Sequence, residues 1–368
     1  MAAGVFVRRA GGGCGQFFRR PRVGAYPKQL GMRLSVIVPT YNSERTLETC
    51  LHAVRASSFR SYELLVIDGG SSDATAQIAA RYADRVIQFD GSPSVSAQRN
   101  VGVASAKEEI IVNVDSDVAV HSDTLERVAR RFAGDPGLQA ATGLVSKTHP
   151  HAGFFSQYKN LYMHYTFRRL PDGVRFLYGS IHAFRRSVAP PYRTNLSGIR
   201  IAEAAEDLLI GQQMACAGRV AFMRDLEVVH YKQHTPRTLA ANDFHIPFAW
   251  AAVFLGGQGW RHLGRGRTGF GHVSVAQLLT VALAPIATLA GGAAVADRFW
   301  RLPAAGLAIG WLMLTAPFAA FLAKERGWRF GCSGILVTFV DHLIMAAGIV
   351  CGVCVVACQA MRRREAVE

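Results

Sequence analysis

The chain has 368 residues, half of them apolar, and a formal charge of +15 from 41 Lys and Arg against 26 Asp and Glu. That permits one large domain with an appendage, or two ordinary domains, with a sizeable core. Seven cysteines, an odd number without paired spacing in the polar part, exclude a disulfide framework and a zinc module and fit a reducing, cytosolic catalytic region.

Residues 1–31 carry Arg8, Arg9, Arg19, Arg20, Arg22 and Lys28 and no acid, and contain no apolar run of signal-peptide length. They read as a basic, disordered tail, with Met32 as an alternative start. From Arg33 onward strand and helix patterns alternate. Leu34–Val38 is an apolar β run ending at Pro39, and Ser43 is placed to cap a helix reaching about Ala56. Glu63–Ile67 is a second strand, followed by the turn Asp68-Gly-Gly-Ser-Ser72 and a helix near 73–82. Arg85–Phe89 is a third strand, a helix covers about 95–106, and Glu109–Val114 is a fourth strand. Such alternation indicates an α/β sheet with parallel pairs and helices on both faces. Ligands of such sheets bind at the carboxyl ends of strands, where Asp68 and Asp115 both fall.

Farther on the pattern is less regular. Phe176–Phe184 reads as a strand or hairpin, Ala202–Ala217 as a helix with acids in its first turns, and Glu227–His230 as a short strand. Phe244–Trp260 suits a helix lying in a membrane surface. Val275–Ala296 and Leu302–Ala323 are free of charge and, at about 1.5 Å per residue, long enough for a hydrocarbon core of roughly 30 Å. A third apolar segment covers about Ile335–Cys358, with Asp341 and His342 near its start. Cys351-Gly-Val-Cys354 lies inside it, with no second ligand pair, and reads as small packing residues. The basic cluster Arg261, His262, Arg265 and Arg267 adjoins the first span, which favours anionic lipid over nucleic acid as its partner. It also favours a cytoplasmic start to that span. Three spans then place Arg362, Arg363 and Arg364 on the far side, against the same tendency.

Asp115-Ser116-Asp117 is the most informative triplet. Two carboxylates two residues apart, directly after an apolar strand, can both reach one hard cation such as Mg²⁺ or Mn²⁺. Alone, the triplet is weak. Its context is Val36-Ile-Val-Pro-Thr-Tyr-Asn42, then Val66-Ile-Asp68-Gly-Gly-Ser-Ser-Asp73, then Gln98-Arg99-Asn100, then the triplet itself. In this order the set resembles glycosyltransferase family 2, whose members share the Rossmann-like, nucleotide-binding GT-A fold. The match covers about residues 33–235. It departs from the family at Ile67, where the family has the first Asp of a pair, and at Gln98.

The resemblance implies an inverting transfer from a nucleotide-diphosphate sugar. Pro39, Tyr41 and Glu44 would line the nucleoside pocket, Asp68 would hold the base, and Arg99 would stand near the donor phosphates or sugar. Asp115 would contact the nucleotide and sugar, and Asp117 would be the main ligand of a divalent Mn or Mg. The acidic pair Glu206-Asp207 would lie beneath the acceptor with Asp207 as general base, since a sugar hydroxyl must lose its proton as the bond forms. His230 would complete the metal or phosphate site, with Lys232 an alternative partner for the diphosphate. Plainer roles are open too: Tyr41 as core, Glu44 as a solvated acid, Asp73 as a helix cap. Gln233–Arg237 does not reproduce the QxxRW pattern of processive synthases.

The expected organisation is a tail (1–31), a GT-A domain (32–240), an interfacial segment (241–272), about three transmembrane helices (273–360) and a basic tail (361–368). The expected setting is the cytoplasmic membrane, with the catalytic domain facing the cytoplasm and a lipid-linked acceptor. Polyprenyl phosphate as acceptor, and a non-catalytic nucleotide-sugar-binding scaffold, stay open as alternatives. Nucleotidyl transfer would need a Gly-rich, Arg-containing loop after the first strand, which Pro39-Thr-Tyr-Asn42 is not.

Overall fold

The computed structural model describes residues 5–8, 31–89, 91, 94–192, 195–196, 199–200, 205–256 and 272–365. They divide into two compact units. The first comprises Met1–Ser146, Leu177–Tyr192 and Ile210–Tyr231, and the second Lys147–Phe176, Arg193–Leu209 and Lys232–Glu368.

The first unit is built on one mixed sheet. Its strands are β1 (Val5–Arg8), β2 (Leu34–Thr40), β3 (Tyr62–Asp68), β4 (Arg85–Phe89), β5 (Ile110–Val114), β6 (Val118–Val120), β7 (Leu138–Val145), β8 (Ile181–Arg185) and β11 (Arg219–His230). The order is β1-β4-β3-β2-β5-β8-β7-β11-β6. Strands β4, β3, β2 and β5 are parallel neighbours, β8 runs antiparallel to β5 and β7, and β6 pairs antiparallel with β11. Every residue of β2 is buried, as a central strand covered on both faces requires. Leu34, Val36 and Val38 join the core formed with α1 (Leu47–Arg55), α2 (Thr75–Tyr82) and α4 (Thr124–Ala133). On the opposite face Ile37 meets α3 (Val95–Ser105) at Gly102, where an added Cβ would lie 2.5 Å from the Ile37 side chain. Helices thus cover both faces, as expected.

Several boundaries differ from expectation. Helix α1 starts at Leu47, because Ser43 does not cap it. The Ser43 carbonyl accepts from the N–H groups of Thr46 and Leu47, and its hydroxyl is engaged by the Tyr41 carbonyl and Ser116. Residues 177–180 stay out of β8, since the Tyr178 N–H is taken by the Thr142 hydroxyl at 2.6 Å. Strand β11 is twelve residues long, with a register break between Phe222 and Glu227. Val5–Arg8 forms a strand against β4, as its Val-Phe-Val run favours, where a disordered tail was expected.

The second unit contains α5 (Phe154–Phe167), α7 (Pro236–Gly256), α8 (Val275–Ala296), α9 (Arg301–Arg326) and α10 (Trp328–Glu365). Among the described residues three helices are long and apolar enough to cross a membrane: Val275–Ala296, Arg298–Arg326 and Trp328–Gln359. The expected boundary at residue 240 falls inside α7, and part of the interfacial segment (257–271) lies outside the described residues. Gly348 and Gly352 of α10 let it approach the α7 backbone, where an added Cβ would meet the Phe244 and Phe248 carbonyls at 2.4 and 2.5 Å. This is the small-residue spacing by which apolar helices pack closely. Asp341 and His342 are both buried inside the unit, as ionisable residues of a spanning segment tend to be.

The register break in β11 sets the Leu226 carbonyl 2.0 Å from where a Cβ on Gly143 would stand. Gly143→Ala is expected to force β7 and β11 apart and to cost about 1–3 kcal/mol. A denaturant titration of the detergent-solubilised protein, followed by near-ultraviolet circular dichroism, measures it; an unchanged midpoint would contradict this packing.

Candidate active site

Register brings the motif residues to one edge. Thr40 of β2 pairs with Asp68 of β3, and Ile37 of β2 with Asn113 of β5, so Pro39, Asp68 and Asp115 emerge together at the carboxyl ends. Two loops form the rim. Asn42, at φ 46°, donates its N–H to the Ser71 hydroxyl (2.9 Å), and its side-chain oxygen accepts from the Ser72 N–H (2.9 Å). The Ser43 N–H donates to the Thr75 hydroxyl (2.7 Å). The Glu44 carboxylate accepts from the Ala74 N–H (3.1 Å), while the Glu44 N–H donates to Asp73 (3.2 Å). One Glu44 oxygen therefore holds the rim, and the side chain is exposed. Tyr41 is 46% exposed and is not core.

Asp68 is fully buried. Its Oδ1 accepts from the N–H and hydroxyl of Ser71 (3.2 and 2.5 Å), and Gln88 approaches Oδ2 at 3.5 Å. Its carboxylate thus shapes the turn after β3. Gly69 explains the departure at Gln98: a Cβ there would lie 2.1 Å from the Gln98 amide nitrogen, which donates to the Thr40 carbonyl at 3.0 Å. Gln98 thereby clamps the ends of β2 and β3.

Arg99 is 2% exposed and lies beneath the acidic triplet, donating to Asp115 Oδ1 (2.8 Å) and to the Gly179 carbonyl (3.2 Å). Burial pushes the Asp115 carboxyl up, Arg99 pulls it back, and neighbouring Asp117 adds to the rise. Asp117 is held from the other side. Val118 pairs with His230 in the β6–β11 ladder, the Tyr231 N–H donates to the Asp117 carbonyl (2.8 Å), and His230 Nε2 stands 3.3 Å from Asp117 Oδ2. The Ser43 and Ser116 hydroxyls, 3.0 Å apart, tie the triplet to the rim. Asp115, Asp117 and His230 are hard oxygen and nitrogen donors that fit Mn²⁺ or Mg²⁺. Among the described residues no cluster of three such donors is preassembled, so a cation held here would complete its shell with substrate oxygens. Glu206 and Asp207 open α6 (Glu206–Ala217), Glu206 buried and Asp207 half-buried.

Sequence reasoning missed the support under the triplet. The Asn113 amide donates to the Tyr192 hydroxyl (3.1 Å), which donates to His182 Nε2 (2.8 Å), and His182 Nδ1–H donates to the Tyr178 carbonyl (3.0 Å). Asn113 and His182 face each other across β5 and β8. The one signal was a polar residue within each of two apolar strands. Burial, with a contribution from the Arg99 charge, lowers His182 to about 3, so the folded state keeps it neutral. The unfolded chain binds that proton near pH 6.5, so this stability is complete above 6.5 and is lost as pH falls toward 3. His182→Asn is expected to lower the acid slope of unfolding free energy by about one proton between those limits. Urea midpoints against pH measure it, and an unaltered slope would refute the neutral assignment.

The family model for glycosyl transferase family 2 matches residues 35–192. The chain is 32% identical over 127 residues to glycosyltransferase AglE of Haloferax volcanii, covering 33% of this chain and spanning 41% of that protein. It is 26% identical over 247 residues to the O-antigen chain rhamnosyltransferase RfbN of Salmonella typhimurium, covering 62% and 77% of the two chains. Its fold is similar to that of the mannosyltransferase PcManGT from Pyrobaculum calidifontis, solved with GDP-Man and Mn²⁺, with a TM-score of 0.56, 19% identity and 86% of each chain covered. The strand-end motifs and the mixed sheet agree with these likenesses: residues 35–192 match the glycosyl transferase family 2 model, and the fold is GT-A-like.

Proposed function

We propose that the protein transfers a sugar, with inversion, from a nucleoside diphosphate sugar to a lipid-linked acceptor at the cytoplasmic face of a membrane. The observation that carries the reading is the acidic triplet at the sheet's carboxyl edge, with Arg99 under Asp115 and His230 beside Asp117. The three long apolar helices favour an acceptor that resides in the bilayer.

In this reading the Tyr41 and Glu44 rim receives the nucleoside, and the turn held by Asp68 seats the base. Asp117, His230 and Asp115 hold a divalent cation, which when bound neutralises the diphosphate leaving group. Arg99 acts from below by fixing Asp115. Asp207 accepts the proton of the acceptor hydroxyl as its oxygen bonds to the anomeric carbon and the bond to the diphosphate breaks. Glu206, buried at the same helix start, positions that turn.

The test is a panel of nucleoside diphosphate sugars offered to the full chain in lipid nanodiscs, with membrane lipid extract as acceptor. Release of nucleoside diphosphate from one donor is expected, lost with chelator and restored by Mn²⁺. Asp117→Asn is expected to raise the Mn²⁺ concentration needed for half-activity by about 10–100-fold. Asp207→Asn is expected to cut turnover by about 10²–10⁴-fold with a hydroxyl acceptor. Full turnover in Asp207→Asn would remove it from the base role, and no release from any donor would favour a scaffold.

A further inference from the structure

The second unit holds an open-sided cavity of about 490 Å³ among α5, the start of α8, the latter half of α9 and the first half of α10. Leu314, Pro317 and Phe318 supply apolar wall. The polar lining is uneven. The hydroxyls of Thr280, Thr315 and Thr338 give their hydrogens to carbonyls of their own helices. Three of the other lining groups also have a hydrogen to give. The Trp311 indole N–H, which can only donate, reaches His342 Nδ1 at 3.1 Å, so the neutral His342 ring carries its proton on Nε2. Tyr162 accepts from the Gln277 amide (3.1 Å) and keeps its own hydroxyl hydrogen. Burial pushes Tyr162 up to about 12, so it remains a hydroxyl donor at neutral pH. Arg169 lies over the Tyr165 ring and gives one N–H to the Tyr165 carbonyl (2.9 Å). Among the described residues no carboxylate pairs with Arg169, and no acceptor takes the Tyr162 hydroxyl or His342 Nε2–H.

A cavity that offers such donors beside apolar walls selects a guest with clustered acceptor oxygens on an apolar chain. Leu278, Leu279, Leu336 and Val340 are exposed on helices of spanning length beside it, so a guest reaches it from the bilayer. A hydrocarbon alone would leave the donors unmet, which is costly in an apolar medium, and a free phosphate would leave the wall of Leu314, Pro317 and Phe318 without an apolar partner. We infer that this cavity binds the phosphate-and-chain neck of a lipid phosphoester, the carrier of the acceptor. The identity of the guest as substrate rests on the function proposed above; the guest's chemistry rests on the cavity.

The experiment uses the full chain in phosphatidylcholine nanodiscs and a prenyl phosphate bearing a benzophenone beside the phosphate. Photolabelling is expected on residues 314–318 and 338–342, competed by unlabelled prenyl phosphate and not by a hundredfold excess of phosphatidylglycerol. Arg169→Gln is expected to raise the half-saturating probe concentration about tenfold. Thr315→Phe, which fills the cavity, should abolish labelling, and Tyr162→Phe, a smaller change, guards against misfolding by weakening labelling without loss of thermal stability. Labelling elsewhere, labelling indifferent to all three variants, or equal competition by phosphatidylglycerol would overturn the inference. If labelling behaves as expected while no donor sugar reaches the lipid, the function reading falls and the cavity assignment stands. Transfer to lipid with an unchanged KM in Thr315→Phe overturns the cavity assignment alone.

Discussion

The buried guanidinium of Arg99 is the constraint around which the catalytic edge is built. A cation with 2% exposure needs both a counter-charge and neutral acceptors, and it finds them in Asp115 and the Gly179 carbonyl. Leaving one partner of such a pair alone in the interior costs about 3–5 kcal/mol. Satisfying Arg99 therefore fixes α3, the end of β5 and the turn before β8 relative to one another. Tyr192, whose ring lies 5.6 Å from the guanidinium, continues the tie through the Asn100 side chain and into the pair of Asn113 and His182. The carboxyl edge is thus held by polar contacts made under it and is open only above.

The rim follows the same economy. Each motif residue that faces a ligand also holds a neighbouring loop. Glu44 steadies the start of α2, Asn42 adopts a left-handed backbone to reach Ser71 and Ser72, and Asp68 surrenders its carboxylate to Ser71. On the proposed function, a pocket assembled this way would lose little order on binding a nucleotide, because its loops are already mutually bonded. It also explains why the motifs are contiguous in sequence: each supplies one ligand-facing group and the bonds that hold it.

What was legible in the sequence was whatever depends on local order. The parallel strands Leu34–Thr40, Tyr62–Asp68 and Ile110–Val114 show as apolar runs, and the charge-free spans show as length. Asp117 and His230 were matched through family position, and the β6–β11 ladder supplies the physical reason. What was not legible depends on partners distant in the chain. Arg99 was expected at the donor phosphates, yet nothing in Gln98-Arg99-Asn100 tells whether the side chain points outward or down toward Gly179, eighty residues on. Gln98 read as a departure from pattern, and only the approach of Gly69 gives it a role. In the second unit Asp341 was noticed as a charge in an apolar segment. Its surroundings, Tyr158 at 3.5 Å and the Lys159–Asp243 ion pair, come from helices far away in sequence.

The two acids of the triplet are therefore not equivalent. Asp115 is committed downward: its Oδ1 accepts from the buried Arg99. Asp117 is committed sideways, to a His230 that is itself a competent ligand and lies on the next strand. On the proposed function, a cation between diphosphate and protein would break the Asp117–His230 contact and gain both groups as donors. Asp115 would offer such a cation its Oδ2, because Oδ1 is bound by Arg99. The two acids of the spacing thus differ in how they are held, Asp115 through one oxygen from below and Asp117 from the neighbouring strand.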